Sequence, residues 1–156
     1  MRPVQVSVDV PQSIEEVYDF LDVLSNHALF TDHMIRDWRY DGPARGVGAK
    51  ATITAFAGGR TDTINMEVIE AERPTRNVER NVGAAGRRVA TGTYTLAELP
   101  GGHTRVTFVY AWQKAPMSEA LAAPLVRAIS RRGNQRAMER LAEQLRTREA
   151  DRLTGQ

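Results

Sequence analysis

The chain reads as an α+β domain: a curved antiparallel sheet of about seven strands wraps around one long C-terminal helix, with two short helices between strands 1 and 2. Three observations predict this. Val4, Val6, Val8 and Val10 alternate with Gln5, Ser7 and Asp9 in period two, as a strand with one buried face does. Strand-like segments then follow one another across residues 35–114, joined by glycine- and proline-rich links of hairpin length. From Met117 the pattern turns helical and stays so, which supplies the cover such a sheet needs to bury one face.

Pro11 ends the first strand, and Ser13 with Glu16 forms a capping box ahead of the helical stripe Ile14, Val17, Tyr18 and Leu21. Residues 22–34, with Leu24, Leu29 and Phe30 among Ser25, Asn26 and Asp32, read as a second short helix or turn. Trp38 and Tyr40 mark a twisted strand before the Gly42-Pro43 turn. Gly46-Val47-Gly48 opens the next strand, and Gly58-Gly59 closes a hairpin onto a strand with Ile64, Met66 and Val68 on one face. Pro74 breaks the chain before a strand over 76–82, residues 83–86 turn it into 87–99, and Pro100-Gly101-Gly102 makes the last hairpin. Val106, Phe108, Tyr110 and Trp112 then alternate along the final strand. Such short links demand antiparallel pairing, and strand 1, with no hairpin partner of its own, is expected beside the last strand.

Ser118 stands where an N-cap belongs and Glu119 favours the positive end of a helix. Leu121, Leu125, Ala128 and Ile129 share one stripe, whereas Ala137, Met138, Leu141 and Leu145 share another on nearly the opposite side. A straight helix cannot turn both to one sheet, so a kink or break is predicted between Pro124 and Gly133-Asn134. The second segment is the packed one, its outer face solvated by Arg136, Glu139, Arg140, Glu143 and Arg146. The apolar side of the first segment has three readings: cover for a pocket mouth, contact with a second subunit in a homodimer, or contact with lipid.

At 156 residues, 42% apolar and 26% charged, the chain suits one globular domain over 1–150, with 151–156 expected as a disordered tail. Net charge is only +2. The basic excess between Arg127 and Arg152 lacks interleaved aromatics, so a wet helix face is favoured over a nucleic-acid footprint and no nucleic-acid partner is expected. The absence of cysteine removes disulfides and thiolate chemistry. No membrane span is expected, and a cytoplasmic location is.

A sheet curled around a helix leaves a hollow unless large side chains fill it, and several inward positions are small: Ala51, Ala55, Ala57, Ala90 and Gly92. The expected lining is Trp38, Met66, Arg80, Tyr94, Phe108, Tyr110, Trp112 and, from the lid, Leu125, aromatic walls with a few polar tips. Arg80 faces inward if Val78 and Val82 do, with Glu67 or Glu79 as its partner; a slip of one residue puts it in water.

The order and spacing of these motifs resemble the helix-grip superfamily of START and birch-pollen-allergen type (SRPBCC), and within it the bacterial polyketide cyclase/dehydrase and lipid-transport family. VQVSVDVPQSIEEVYDFL resembles that family's first strand, turn and helix; GPARGVGAK its glycine-rich entry to the third strand; VIEAERPTR the strand ending at a proline; and GTYTLAELPGGHTRVTF its final hairpin. The resemblance spans nearly the whole chain and implies a cavity between sheet and long helix for an apolar or amphipathic molecule. Binders, carriers and a few enzymes share this architecture, and fold alone does not choose among them.

No catalytic constellation stands out. His27 and His33, with Asp32, match no zinc or two-histidine-carboxylate spacing, His103 sits in a turn, and no serine has a nucleophile-elbow surround. The glycine-bearing loops at 42–48 and 83–86 do not lead from strand to helix with phosphate-binding spacing. No metal or other cofactor is expected. Two functions remain open: binding or transport of a small hydrophobic or amphipathic ligand (lipid, polyketide or aromatic metabolite), or a cyclase or dehydratase working in the same cavity through an inward Arg80, Tyr94 or glutamate. The arginine-rich end as a protein or RNA contact is a third, weaker reading.

Overall fold

The computed structural model describes residues 1–155. Its elements are β1 (Val4–Val10), α1 (Ile14–Asp22), a 3-10 turn (Leu24–His27), α2 (Ala28–Thr31), β2 (Ile35–Asp41), β3 (Lys50–Ala57), β4 (Arg60–Glu72), β5 (Arg76–Gly83), β6 (Arg88–Leu99), β7 (His103–Lys114), α3 (Met117–Leu121) and α4 (Ala123–Thr154). The sheet order is β1-β7-β6-β5-β4-β3-β2, antiparallel throughout. Strand 1 pairs with the last strand as expected: Val4 lies opposite Tyr110, Val6 opposite Phe108 and Val8 opposite Val106.

Directly opposed residues share a face, so one concave row can be traced from strand to strand. Phe108 of β7 stands opposite Tyr94 of β6 and Tyr110 opposite Gly92; Gly92 stands opposite Glu79 of β5, and Glu79 opposite Val68 of β4. Register shifts at Arg36/Arg39, Val68/Glu70 and Val89/Ala90 interrupt the ladder and add the local twist that curls the sheet. Asp37, at the β2 irregularity, takes φ 58°, a left-handed conformation that aspartate tolerates better than most residues.

The amide of Glu16 donates to Ser13 Oγ at 3.3 Å, so the predicted cap opens α1, and Ile14, Val17, Tyr18 and Leu21 are buried. At the C-terminal end the structure corrects the predicted break. It falls at Ala122 (φ −102°, ψ 25°), ahead of Pro124, which sits in the first turn of α4 where no N–H is needed. The first short helix begins at Met117 with Pro116 in the cap position in place of Ser118. α4 then runs unbroken through Gly133, because that glycine serves packing: a Cβ there would lie 3.2 Å from Met34 Sδ, and His33 Nε2 hydrogen-bonds the Gly133 carbonyl at 2.9 Å. α4 also continues to Thr154, into the stretch expected as a tail, and Arg152 pairs with Glu16; Gln156 lies outside the described residues.

With a single straight axis only one stripe can face the sheet. Along α4, Ala137, Met138, Leu141 and Leu145 are buried, whereas Leu125 and Ile129 are 63% and 40% exposed; Leu121, on α3, is 81% exposed. Among the described residues no helix is long and apolar enough to cross a membrane.

A domain of this size usually has one contiguous core. Here the buried apolar residues form two clusters. The larger joins β1, β6 and β7 to α1, Phe30 and α4; the smaller holds Leu24, Ala49, Ala51, Ile53, Met66 and Val68, with Ile35, Trp38 and Ile64 against it.

Candidate functional site

The site is the seam between those clusters, and β5 makes it. Along Arg76–Gly83 the concave positions are Asn77, Glu79 and Asn81, 2%, 5% and 5% exposed. This decides the face of β5, which the sequence leaves open between Arg80 inward and Arg80 in water, against the placing of Arg80 in the lining. Arg80 lies opposite Glu67 and Thr91 on the convex side and is exposed. Val78 misleads because it is buried as well, at 3%, although it points away from the seam. The concave partners of the polar residues across β6 are small: Asn81 opposes Ala90 and Glu79 opposes Gly92. A Cβ on Gly92 would lie 2.9 Å from Glu79 Oε1 and from the Phe108 ring, so glycine is what admits both side chains.

His27, from the 3-10 turn after α1, faces this row. Its Nε2 lies 2.7 Å from the Leu21 carbonyl. A carbonyl only accepts, so Nε2 carries the proton and donates, which leaves Nδ1 as a bare lone pair 3.7 Å from Glu79 Oε2. The ring packs edge-on to Tyr94 (centroids 5.5 Å apart) and tilted against Phe30 (5.3 Å). Burial pulls the His27 pKa down to about 4, only partly offset by the Leu21 hydrogen bond. Burial pushes Glu79 up to about 7 against a weak opposing hydrogen bond from Asn81 Nδ2 at 3.5 Å. Between those values both groups are neutral. Tyr94 is held well above the usual phenol range by burial and by Glu79, and Tyr110 is pushed to about 12, chiefly by burial.

Several atoms in this seam have no hydrogen-bond partner: Asn77 Nδ2 and Oδ1, Glu79 Oε2 and Asn81 Oδ1. Burial, helped by Asp22, raises the Tyr18 pKa against the opposing influence of the neighbouring Asn77 side chain, and among the described residues neither Asn77 amide atom makes a hydrogen bond. Each such buried orphan costs about 1–3 kcal/mol, and folded proteins carry few of them without a functional reason.

The residues expected from sequence fall into three places. Tyr94 and Phe108 are buried on the larger cluster with ring centroids 4.7 Å apart, and half-buried Tyr110 and Trp112 meet edge-to-face at 4.9 Å in the same row. Met66 and Trp38 belong to the smaller cluster; Trp38 stacks on Tyr40 and its Nε1 is a further buried orphan. Arg80 and Leu125 stand on outer surfaces. Sequence reasoning passed over Asn77 and Asn81, weighed Glu79 as an arginine partner and an inward glutamate as a proton carrier, and weighed His27 only as a metal ligand. The usable signal was polar residues at 77, 79 and 81, period two, opposite small residues on the next strand.

Two open concavities, of about 470 and about 320 Å3, lie along the outer face of β2–β5, lined by polar residues such as Thr54, Thr63 and Asn65 in the first and Lys50, Glu67 and Arg80 in the second. Between sheet and helix the polar atoms of the seam are shut from solvent. Arg88, at the start of β6, bridges Asp62 (2.6 Å) on β4 and Glu119 on α3, tying the short helix to the sheet. Its pKa is raised by those partners.

Solved structures of low sequence identity share this architecture. The protein TTHA0849 from Thermus thermophilus is 17% identical over 94% of this chain and 98% of its own, with a TM-score of 0.75. The Zhui aromatase/cyclase from Streptomyces sp. R1128 is 13% identical over 94% of each chain, with a TM-score of 0.76. Ara h 8.0201 is 12% identical over 94% of this chain and 98% of its own, with a TM-score of 0.62. These likenesses establish the helix-grip fold. Among curated proteins none matches. The family model for polyketide cyclase/dehydrase and lipid transport matches residues 1–148, and the chain belongs to that family.

Proposed function

We propose that the protein binds a small hydrophobic or amphipathic ligand, a lipid, polyketide or aromatic metabolite, between the sheet and α4, and that the polar end of the ligand meets Asn77, Glu79, Asn81 and His27. One observation carries this reading: a row of buried polar atoms without partners divides what would otherwise be one apolar core. Evolution toward stability alone would replace such a row with apolar side chains, since a half-satisfied buried network is worse than none. Aromatic walls from Tyr94, Phe108 and Phe30 beside a few convergent polar groups are the usual lining of a small-molecule site. Entry requires the closed interior to open, and α3, five residues long and tied to the sheet by Arg88, is the element with least to lose by moving.

The test is thermal unfolding in the presence of fatty acids, isoprenoids and aromatic polyketides, with mass spectrometry of protein purified directly from cells. A saturable rise in Tm with one class, or a co-purifying small molecule, is the expected result. Flat melting curves across the panel and an empty mass spectrum would refute it.

A cyclase or dehydratase is the second reading, and the Glu79–His27 pair favours it. A carboxylic acid titrating near 7 can give and take a proton at neutral pH, and the His27 Nδ1 lone pair faces it at 3.7 Å. In that case Glu79→Gln retains ligand binding and loses turnover.

A further inference from the structure

We propose that α3, together with α4 as far as Arg136, docks on an anionic lipid bilayer, with Met117, Leu121, Leu125 and Ile129 set into the headgroup layer and the neighbouring arginines against lipid phosphates. This surface is the outer face of the helix, so it stands whether or not the interior takes a ligand.

Large apolar side chains left bare in a cluster mark a surface that something else covers. Elsewhere they are scattered along the chain, at Leu29, Tyr40, Val47, Ile69 and Leu153. From 117 to 129 every fourth residue is one: Met117, Leu121, Leu125 and Ile129, with Ala128 exposed beside the last two. On α4 they stand on nearly the opposite side from Ala137, Met138, Leu141 and Leu145, which pack on the sheet. A rotation that buried the first set would expose the second, so the sheet cannot be their cover.

The charge around this row is of one sign. Between residues 115 and 138 the chain carries Arg127, Arg131, Arg132 and Arg136 against the single acid Glu119, and Glu119 is bound to Arg88. Arg127 donates to the backbone carbonyls of Arg2 and Pro3, which brings exposed Arg2 to the same end and neutralises neither charge. Arg131, Arg132 and Arg136 are exposed and pair with no carboxylate among the described residues. Acids on the elements packed against α4 are engaged elsewhere, Asp32 of α2 with Arg140 and Asp9 of β1 with Arg105. Because the whole chain has a net charge of only +2, gathering Arg2, Lys114 and these four arginines here leaves the rest of the molecule net acidic. An anionic surface therefore attracts this end and repels the other.

A second copy of the chain is a poor cover. A two-fold contact through the row would bring the same cations of both copies together with no free acid between them. A row of aliphatic side chains framed by arginines suits a helix lying on a bilayer, where apolar burial and phosphate contact add. Glu139 and Glu143 follow on the outer face of α4, so the contact ends at Arg136.

The experiment is flotation of the intact protein with vesicles of phosphatidylcholine alone and of equal parts phosphatidylcholine and phosphatidylglycerol. Partitioning onto the anionic vesicles should be about tenfold or more stronger than onto the neutral ones, and should fall as salt rises. The pair Leu121→Gln with Leu125→Gln, and the pair Arg132→Gln with Arg136→Gln, should each weaken it by about tenfold or more while Tm holds, because all four side chains are exposed. Arg39→Gln with Arg80→Gln removes the same charge from the outer face of the sheet and should leave partitioning within about threefold. Absence of binding, equal binding to neutral vesicles, or an equal loss from the sheet-face pair overturns the proposal. So does a dimer, seen by light scattering, that the leucine pair dissociates, which would give the row to a second copy.

Discussion

The two halves of the sheet are built for different ends. On β1, β7 and β6 the concave row is large and apolar (Val4, Val6, Val10, Val106, Phe108, Tyr94 and Leu96), and α1 and the second half of α4 close over it with Tyr18, Leu21, Met138, Leu141 and Leu145. On β3 and β4 the row shrinks to Ala49, Ala51, Ile53, Met66 and Val68, and its neighbours Ile35, Trp38 and Ile64 are only half-buried. β5 lies between them and carries Asn77, Glu79 and Asn81. The first half holds the fold together, and the second half packs a smaller cluster with half-buried neighbours. The chemistry gathers where they meet, since a polar row is least costly where packing is already interrupted.

The largest expected effect breaks the first half. Leu141, fully buried on the inner face of α4, should cost about 4 kcal/mol as Leu141→Ala, and Met66→Ala in the smaller cluster about 2 kcal/mol, within the range for emptied core sites. Denaturant titration of both decides the matter; equal losses would erase the contrast between the halves. Next, Gly92→Ala should destabilise by about 1–3 kcal/mol through overpacking against Glu79 and Phe108.

The seam should show itself in the pH dependence of stability. Folded Glu79 keeps its proton up to about 7 against 4.5 when unfolded, so its contribution is full below 4.5 and is lost as pH rises toward 7. His27, about 4 folded against 6.5 unfolded, contributes fully above 6.5 and loses its contribution as pH falls toward 4. The two slopes oppose each other between 4.5 and 6.5, and this pair leaves stability nearly level there. His27→Gln should unmask a fall of about 1 kcal/mol per pH unit as pH rises, and Glu79→Gln a rise of similar size. Urea titrations at pH 4.5, 5.5 and 6.5 read the difference, and parallel profiles for the two variants would show that neither group titrates as described. The smallest effect belongs to the convex face: Arg80→Ala should change stability by less than about 0.5 kcal/mol.

Much of this architecture was legible in the chain. Valines at 4, 6, 8 and 10 announced a strand, Ser13 and Glu16 a helix start, and the glycine and proline turns a run of hairpins, because each depends on local backbone preference and period. Arg80 was misread for a different reason. β5 is buried on both faces at Val78 and Glu79, so alternation of apolar residues does not say which side is concave. Leu125 was misplaced because the break came at Ala122, and α4 kept one axis through Gly133.

What the sequence determined by itself is the order of elements and the family they make, since turns, caps and periods are properties of neighbouring residues. Only the tertiary structure decided that Glu79, and not Arg80, faces the interior, that His27 from a distant turn presents its bare nitrogen there, and that Gly92 makes the space. Those facts depend on registers between strands and on contacts between residues far apart in the chain, which no local pattern encodes.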